Sequence, residues 1–213
     1  MRNMLILILS LLMAAPSHAA KNTDNAKAVL DKTAKQIKAS TPFEVEFTAS
    51  TFSGTQEQGS LQGTLRMKGK KFSIASSNMA CWYDGQTLWS LNKSSEEVNV
   101  STPSDKEKQS MNPYMFVDLY KNGYSASMKQ VQLRNKDCHE GTWHASNAKK
   151  EVQEMSITID KQTMLPLCVR MRQGSNRWIR ISIFQYKSHM KFSDDMFTFH
   201  HKDFPQATVI DIR

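Results

Sequence analysis

The chain has 213 residues, is 39% hydrophobic and 23% charged, and carries a formal net charge of +8. That balance excludes a disordered chain, and a length near 200 residues suits one well-buried domain. Three widely spaced cysteines, Cys81, Cys138 and Cys168, exclude a disulfide-dense scaffold, and with no CxxC pair they argue against a zinc site.

The N-terminus reads as an export signal. Arg2 supplies a positive start, Met4 to Ala15 an unbroken apolar or small run, and Pro16 a break. Ser17-His18-Ala19 is a small-x-small cleavage site. The apolar run is too short for a permanent span, which needs about 20 residues. Residues 1–19 are therefore expected to be removed after Ala19, with Ala20 as the next candidate, leaving a single domain over residues 20–213. No cysteine lies near the site to take a lipid anchor, so the mature protein is expected free in the periplasm. Lysines and arginines are scattered along the chain, and an exported protein rarely meets nucleic acid. Solvated faces and transient contact with anionic lipid surfaces are the remaining readings of the charge. In an oxidising compartment one cysteine pair and three buried free thiols both remain open.

The first element is a helix over Asp24–Ser40, with Asp24 as N-cap. Ala26, Val29, Leu30, Thr33, Ala34 and Ile37 share its apolar face, and Pro42 ends it. Strands follow. Phe43, Val45 and Phe47 alternate with polar residues, as do Leu61, Gly63, Leu65 and Met67. Gly69-Lys70 turns the chain into Lys71–Ile74. Ala80–Tyr83 and Thr87–Leu91 form a hairpin about Asp84-Gly85, and Glu97–Ser101 is a further short strand. The pattern then breaks. Asn112-Pro113 begins a short helix over Tyr114–Lys121 that carries Met115, Phe116 and Leu119, and Gly123 ends it. Strands resume at Tyr124–Leu133, Cys138–Ala145, Val152–Asp160, Leu165–Arg172 and Arg177–Tyr186. In the last, Ile179, Ile181 and Ile183 face one side, with Trp178, Arg180, Ser182, Phe184 and Tyr186 on the other. Thr208–Ile212 is the closing candidate.

The whole predicts an α+β fold, mostly β: about ten strands in a strongly curved antiparallel sheet, a half-open barrel. A sheet so wide must curl. The helices are the pieces available to cover its apolar concave face. No GxSxG, HExxH, GxGxxG or P-loop pattern occurs. His139 and His144, five apart on a strand, point to opposite faces. Neither a catalytic group, a cofactor nor a metal is expected. Of thirteen methionines, three fall in the leader and ten remain. Met67, Met155 and Met171 lie on apolar strand faces, and Met suits a surface that adapts to variable apolar partners.

Four features together resemble the periplasmic outer-membrane lipoprotein carriers, the LolA-like family. The amphipathic helix leads into Phe43-Glu-Val-Glu-Phe47. Gly63-Thr-Leu-Arg-Met-Lys-Gly-Lys-Lys-Phe72 is similar to the family's paired strands. Trp82-Tyr-Asp-Gly-Gln-Thr-Leu-Trp89 is similar to its DGxTLW hairpin, and Asn112-Pro-Tyr-Met-Phe116 to its lid helix. The ending Val209–Arg213 also resembles that of many members. The resemblance implies a curved sheet with helices as a lid over an apolar cavity. It also implies a non-enzymatic role, carrying the acyl chains of lipoproteins from an inner-membrane exporter to an outer-membrane acceptor. Well-studied members carry an arginine, followed by proline, where Gly69 and Lys70 stand here, and that arginine ties sheet to lid. Arg66 is the nearest substitute but has the opposite parity to Leu65 and Met67.

The expected cavity lining is Phe47, Leu65, Met67, Phe72 and Ile74 from early strands and Met155, Ile157, Val169, Met171 and Ile181 from late ones. Met115, Phe116 and Leu119 are the expected lid. The expected partners are acylated lipoproteins, the exporter and the acceptor, with the carrier a monomer. The alternative is a lipid-binding sensor or regulatory module of the same fold. An enzyme with a site assembled from distant residues is a third reading.

Overall fold

The computed structural model describes residues 18–105, 107–108, 124–174 and 176–213. Helix α1 spans His18–Ala39. It is followed by β1 Phe43–Ser53, β2 Gln56–Lys68, β3 Lys71–Ser76, β4 Met79–Tyr83, β5 Leu88–Asn92 and β6 Glu97–Ser101. Next come β7 Tyr124–Leu133, β8 Lys136–Ala145, β9 Val152–Asp160, β10 Pro166–Gln173, β11 Arg177–Lys187 and β12 Thr208–Asp211. Two 3-10 helices, Asp194–Phe197 and His201–Asp203, precede β12. The strands form one open sheet in the order β12-β6-β5-β4-β3-β2-β1-β11-β10-β9-β8-β7.

Three expectations are corrected. The sheet has twelve strands where about ten were expected, the short candidates that became β5, β6 and β12 all pairing in the ladder. It is not wholly antiparallel, since β12 runs parallel to β6. The chain reaches β6 by crossing the sheet face through the 3-10 segments, and a crossover returns a strand in the same direction. Among the described residues, α1 and the 3-10 helices do not form a common lid. Among the described residues the one long helix is α1, and the 3-10 helices cover the opposite face. The expected helix over 112–121, with Met115, Phe116 and Leu119, lies outside the described residues.

Helix α1 also begins at His18, so Asp24 lies inside it and is no N-cap. Ala19, Ala20 and Lys21 are strong helix formers and carry the helix through.

The two faces of the sheet have separate cores. On the inner face, α1 lays Ala26, Val29, Leu30 and Ile37 against Phe43, Val45, Met67, Met128, Trp143, Met155, Ile157 and Ile159. Trp143, fully buried, sits where only a glycine leaves room: a Cβ on Gly141 would come within 2.6 Å of its ring. On the outer face of β4–β6, Ala80, Leu91, Val98 and Val100 are covered by Ala207, Phe199 and Phe204, whose rings pack around Trp82 at 5.5–5.6 Å. Asp194 fastens this C-terminal segment to the β2–β3 hairpin through Lys68 at 2.8 Å and Lys71 at 2.9 Å.

Candidate functional site

Register places all ten expected lining residues on the inner face. Leu65 pairs with Ile74, and Met67 with Phe72. Phe47 lies between Gly63 and Ile183. Val169 lies between Ile157 and Ile181, and Met171 opposes Met155. Strict alternation over six strands is what brings them to one side.

They do not share one environment. Met67, Phe72, Met155 and Ile157 are buried in packed clusters. Phe47, Leu65, Ile74, Val169, Met171 and Ile181 are half-buried. The half-covered set runs along β3-β2-β1-β11-β10, five adjacent strands. At an inter-strand spacing of about 4.8 Å this strip is about 19 Å across. Leu61, Ala49 and Ile179 share its parity and extend it. They were not among the expected residues, although the same period-2 rule reaches them.

Glycine shapes the strip as well. Gly63 has Phe47 lying over it, so that a Cβ there would meet Phe47 Cζ at 2.7 Å and the Ala75 carbonyl at 3.1 Å. A shallow cleft of about 450 Å³ nearby is lined by Glu46, Thr48, Gln62, Thr64, Ala75 and Phe184, with Phe47 the one residue of the ten that touches it. Its walls are as polar as they are apolar, and Glu46, Thr48, Gln62, Thr64 and Ala75 have outer-face parity, so the apolar strip and not this cleft is the candidate site.

One parity expectation fails. Tyr186 belongs to the inner face, not the outer: it opposes Val45, stacks on Phe43 at 4.9 Å and meets Ser40 Oγ at 2.7 Å. The register of β11 shifts between its partners Glu46 and Phe47, so Phe184 is an extra residue in that strand. Such a bulge inverts the parity of everything beyond it. Phe184 itself is left 63% exposed.

The contact between α1 and the sheet is apolar to the point of leaving two buried polar atoms, Thr33 Oγ1 and Trp143 Nε1, without a hydrogen-bond partner. Charge is kept to the other face. Arg66 binds Glu44 at 2.8 Å, and Lys187 reaches the same carboxylate at 2.9 Å. The Lys187 hydrogen bond and the nearby Arg66 hold the Glu44 carboxyl below its usual range against the effect of burial. Arg66 therefore does not stand in for the arginine missing at Gly69. Gly69 takes a left-handed turn conformation, φ +62°, that suits glycine.

The three cysteines are free thiols. Burial raises each thiol pKa, which makes them weak nucleophiles. His144 lies 3.5 Å from Glu154. The pKa of His139 is lowered, by burial first and then by Lys161 and Lys32. Among the described residues no three His, Cys, Asp or Glu side chains gather to hold a metal, and no helix is long and apolar enough to cross a membrane.

The described chain is thus an open, curved sheet with an apolar inner strip beside an N-terminal helix. The family model "Outer membrane lipoprotein carrier protein LolA" matches residues 16–175, and the chain belongs to that family. An uncharacterized conserved protein from Thermus thermophilus superposes with a TM-score of 0.60 at 12% identity, covering 88% of this chain and 99% of that one. A putative outer membrane lipoprotein-sorting protein domain from Vibrio parahaemolyticus gives 0.48 at 8% identity, over 83% and 97% of the two chains. The MucA/MucB complex of Pseudomonas aeruginosa gives 0.41 at 10% identity, over 84% and 62%. No curated protein matches the chain in sequence.

Proposed function

We propose that the protein is a soluble periplasmic carrier that holds the acyl chains of lipoproteins on the inner strip. It takes them from an inner-membrane exporter and yields them to an outer-membrane acceptor. The observation that carries this reading is the incomplete burial of Phe47, Leu65, Ile74, Val169, Met171 and Ile181, all but Ile181 of which pack against the buried clusters and still stay partly exposed. Apolar side chains left half-wet on five adjacent strands forgo burial that folding would otherwise use, and an acyl chain supplies the missing cover. Transfer of an acyl chain from water is favourable by about 0.8 kcal/mol per CH₂, so a chain of about fourteen such groups is held by about 10 kcal/mol. That is enough to keep cargo out of water, and it calls for a carrier between membranes. With no charged residue among the six, the strip makes no demand on headgroup or polypeptide chemistry.

The test is recovery of the tagged protein from periplasm, followed by mass spectrometry of what travels with it. Acylated lipoproteins are the expected cargo. Recovery of the protein without acylated cargo, together with failure of purified protein to bind a fluorescent fatty acid, would refute the reading. A sensor of the same fold would bind the fatty acid, but its depletion would alter envelope signalling without retaining lipoproteins at the inner membrane.

A further inference from the structure

The outer face of the central strands carries a row that neither the core nor the inner strip explains. Arg170 on β10 directly opposes Arg180 on β11. Like charges placed opposite each other destabilise an antiparallel pair. Ser156 opposes Arg170 on β9, and Thr142 opposes Ser156 on β8. On the other side Ser50 opposes Arg180, and Ser60 opposes Ser50. One residue from each of six adjacent strands thus forms a line with no carboxylate in it, in which Ser50 and Ser156 are buried and Thr142, Arg170, Arg180 and Ser60 reach the surface.

The neighbouring row holds the guanidinium groups in place. Arg170 lies over the Trp178 ring at 5.0 Å, Arg172 lies over the same ring at 5.8 Å, and Arg180 lies over Phe52 at 4.7 Å. Stacking fixes the plane of each guanidinium and leaves its N–H edges for an anion. The acids within reach are loosely engaged: Glu57 is 3.6 Å from Arg180, and Glu154 is 3.6 Å from Arg172. Arg170 has no ion pair among the described residues and is exposed. Beyond the row, Phe184 stands 63% exposed with Arg134 over its ring at 4.4 Å.

We propose that this face docks on the anionic phospholipid surface of a bilayer. Arginines and hydroxyls match phosphate oxygens. Six strands at about 4.8 Å spacing give a row about 24 Å long, which suits an extended surface more than an enclosed ligand. Aromatic side chains beside cations are the composition that settles at a membrane interface. Docking by the outer face leaves the inner strip turned away from the lipid, so that cargo on it is not lost back to the bilayer. That purpose rests on the carrier reading; the docking itself does not.

The experiment is flotation of the mature protein with phosphatidylcholine vesicles, with and without phosphatidylglycerol. Binding is expected on the anionic vesicles alone and should weaken with salt. R170Q/R180Q should lower partition by about 25-fold, since each arginine near an anionic surface contributes about fivefold. K149Q/K202Q, which removes two exposed lysines elsewhere, should change it far less. Hydrogen exchange on the unmodified protein should show β10 and β11 protected on vesicle binding. Equal loss in both variants, no preference for the anionic lipid, or protection elsewhere would overturn the proposal, as would binding to polyglutamate without binding to vesicles. Fatty-acid binding by R170Q/R180Q should be unchanged, and its loss in the unmodified protein would count against the carrier reading alone.

Discussion

Replacing Ile181 by Asp separates cargo binding from folding. Ile181 is half-buried at the middle of the inner strip, between Ala49 on β1 and Val169 on β10, and it belongs to none of the three packed clusters. Covering its remaining exposed surface is worth about 1 kcal/mol to a bound acyl chain. Desolvating a carboxylate against that chain costs a further 2 kcal/mol or so. Together these come to about 3 kcal/mol, a loss of about 100-fold in affinity. Stability should fall by about 1–3 kcal/mol, since Ile181 is partly covered between Ala49 and Val169, while the fold persists. The assay is titration with a fluorescent fatty acid beside a thermal melt of the same sample. Affinity within about threefold of the parent protein, with the fold intact, would refute the placement of cargo on this strip. By contrast, Ile157→Asp puts a charge at a fully buried site and should abolish folding itself.

Three further outcomes follow from the geometry. Gly63→Ala should destabilise by about 1–3 kcal/mol in urea denaturation, because its Cβ forces the Phe47 ring aside and presses on the Ala75 carbonyl. Thr33→Val should be neutral or stabilising by about 1 kcal/mol, since the hydroxyl is buried and unpaired. Hydrogen bonds from Lys68 and Lys71 hold the Asp194 carboxyl down to about 2. A carboxyl depressed in the folded state adds stability above its unfolded pKa, about 3.9, and that stability is lost as pH falls from there through about 2. Asp194→Asn should therefore lower the melting temperature at neutral pH and flatten its fall between pH 4 and 2, as read by calorimetry.

Much of this architecture is legible in the chain. Period-2 alternation in Leu65–Met67, Met155–Ile159 and Val169–Met171 is enough to assign a common face, because side chains on a strand have two directions to choose from. The apolar series from Ala26 to Ile37 likewise identifies the buried side of α1. Local pattern misleads where the ladder is irregular. Phe184 and Tyr186 look like two residues of one face, yet a bulge defined only by the partner strand β1 puts Tyr186 under α1 and leaves Phe184 in solvent.

Which side chains are apolar, and how they alternate, is written in the chain itself, and with it the makeup of the inner face. Local propensity likewise dictates the helix and most of the strands, since these depend on neighbours within a few residues. The division of the inner face belongs to tertiary packing. Helix α1 buries Met155 and Ile157, while Ile181 and Val169, of the same pattern, stay half-covered, because burial depends on what lies opposite and not on the residue. Packing also sets Arg170 beside Arg180, ten positions apart in the chain and adjacent only through the register of β10 and β11. It returns the C-terminal segment across the outer face to end as a strand parallel to β6, a pairing whose partners lie more than a hundred residues apart and leave no local signal.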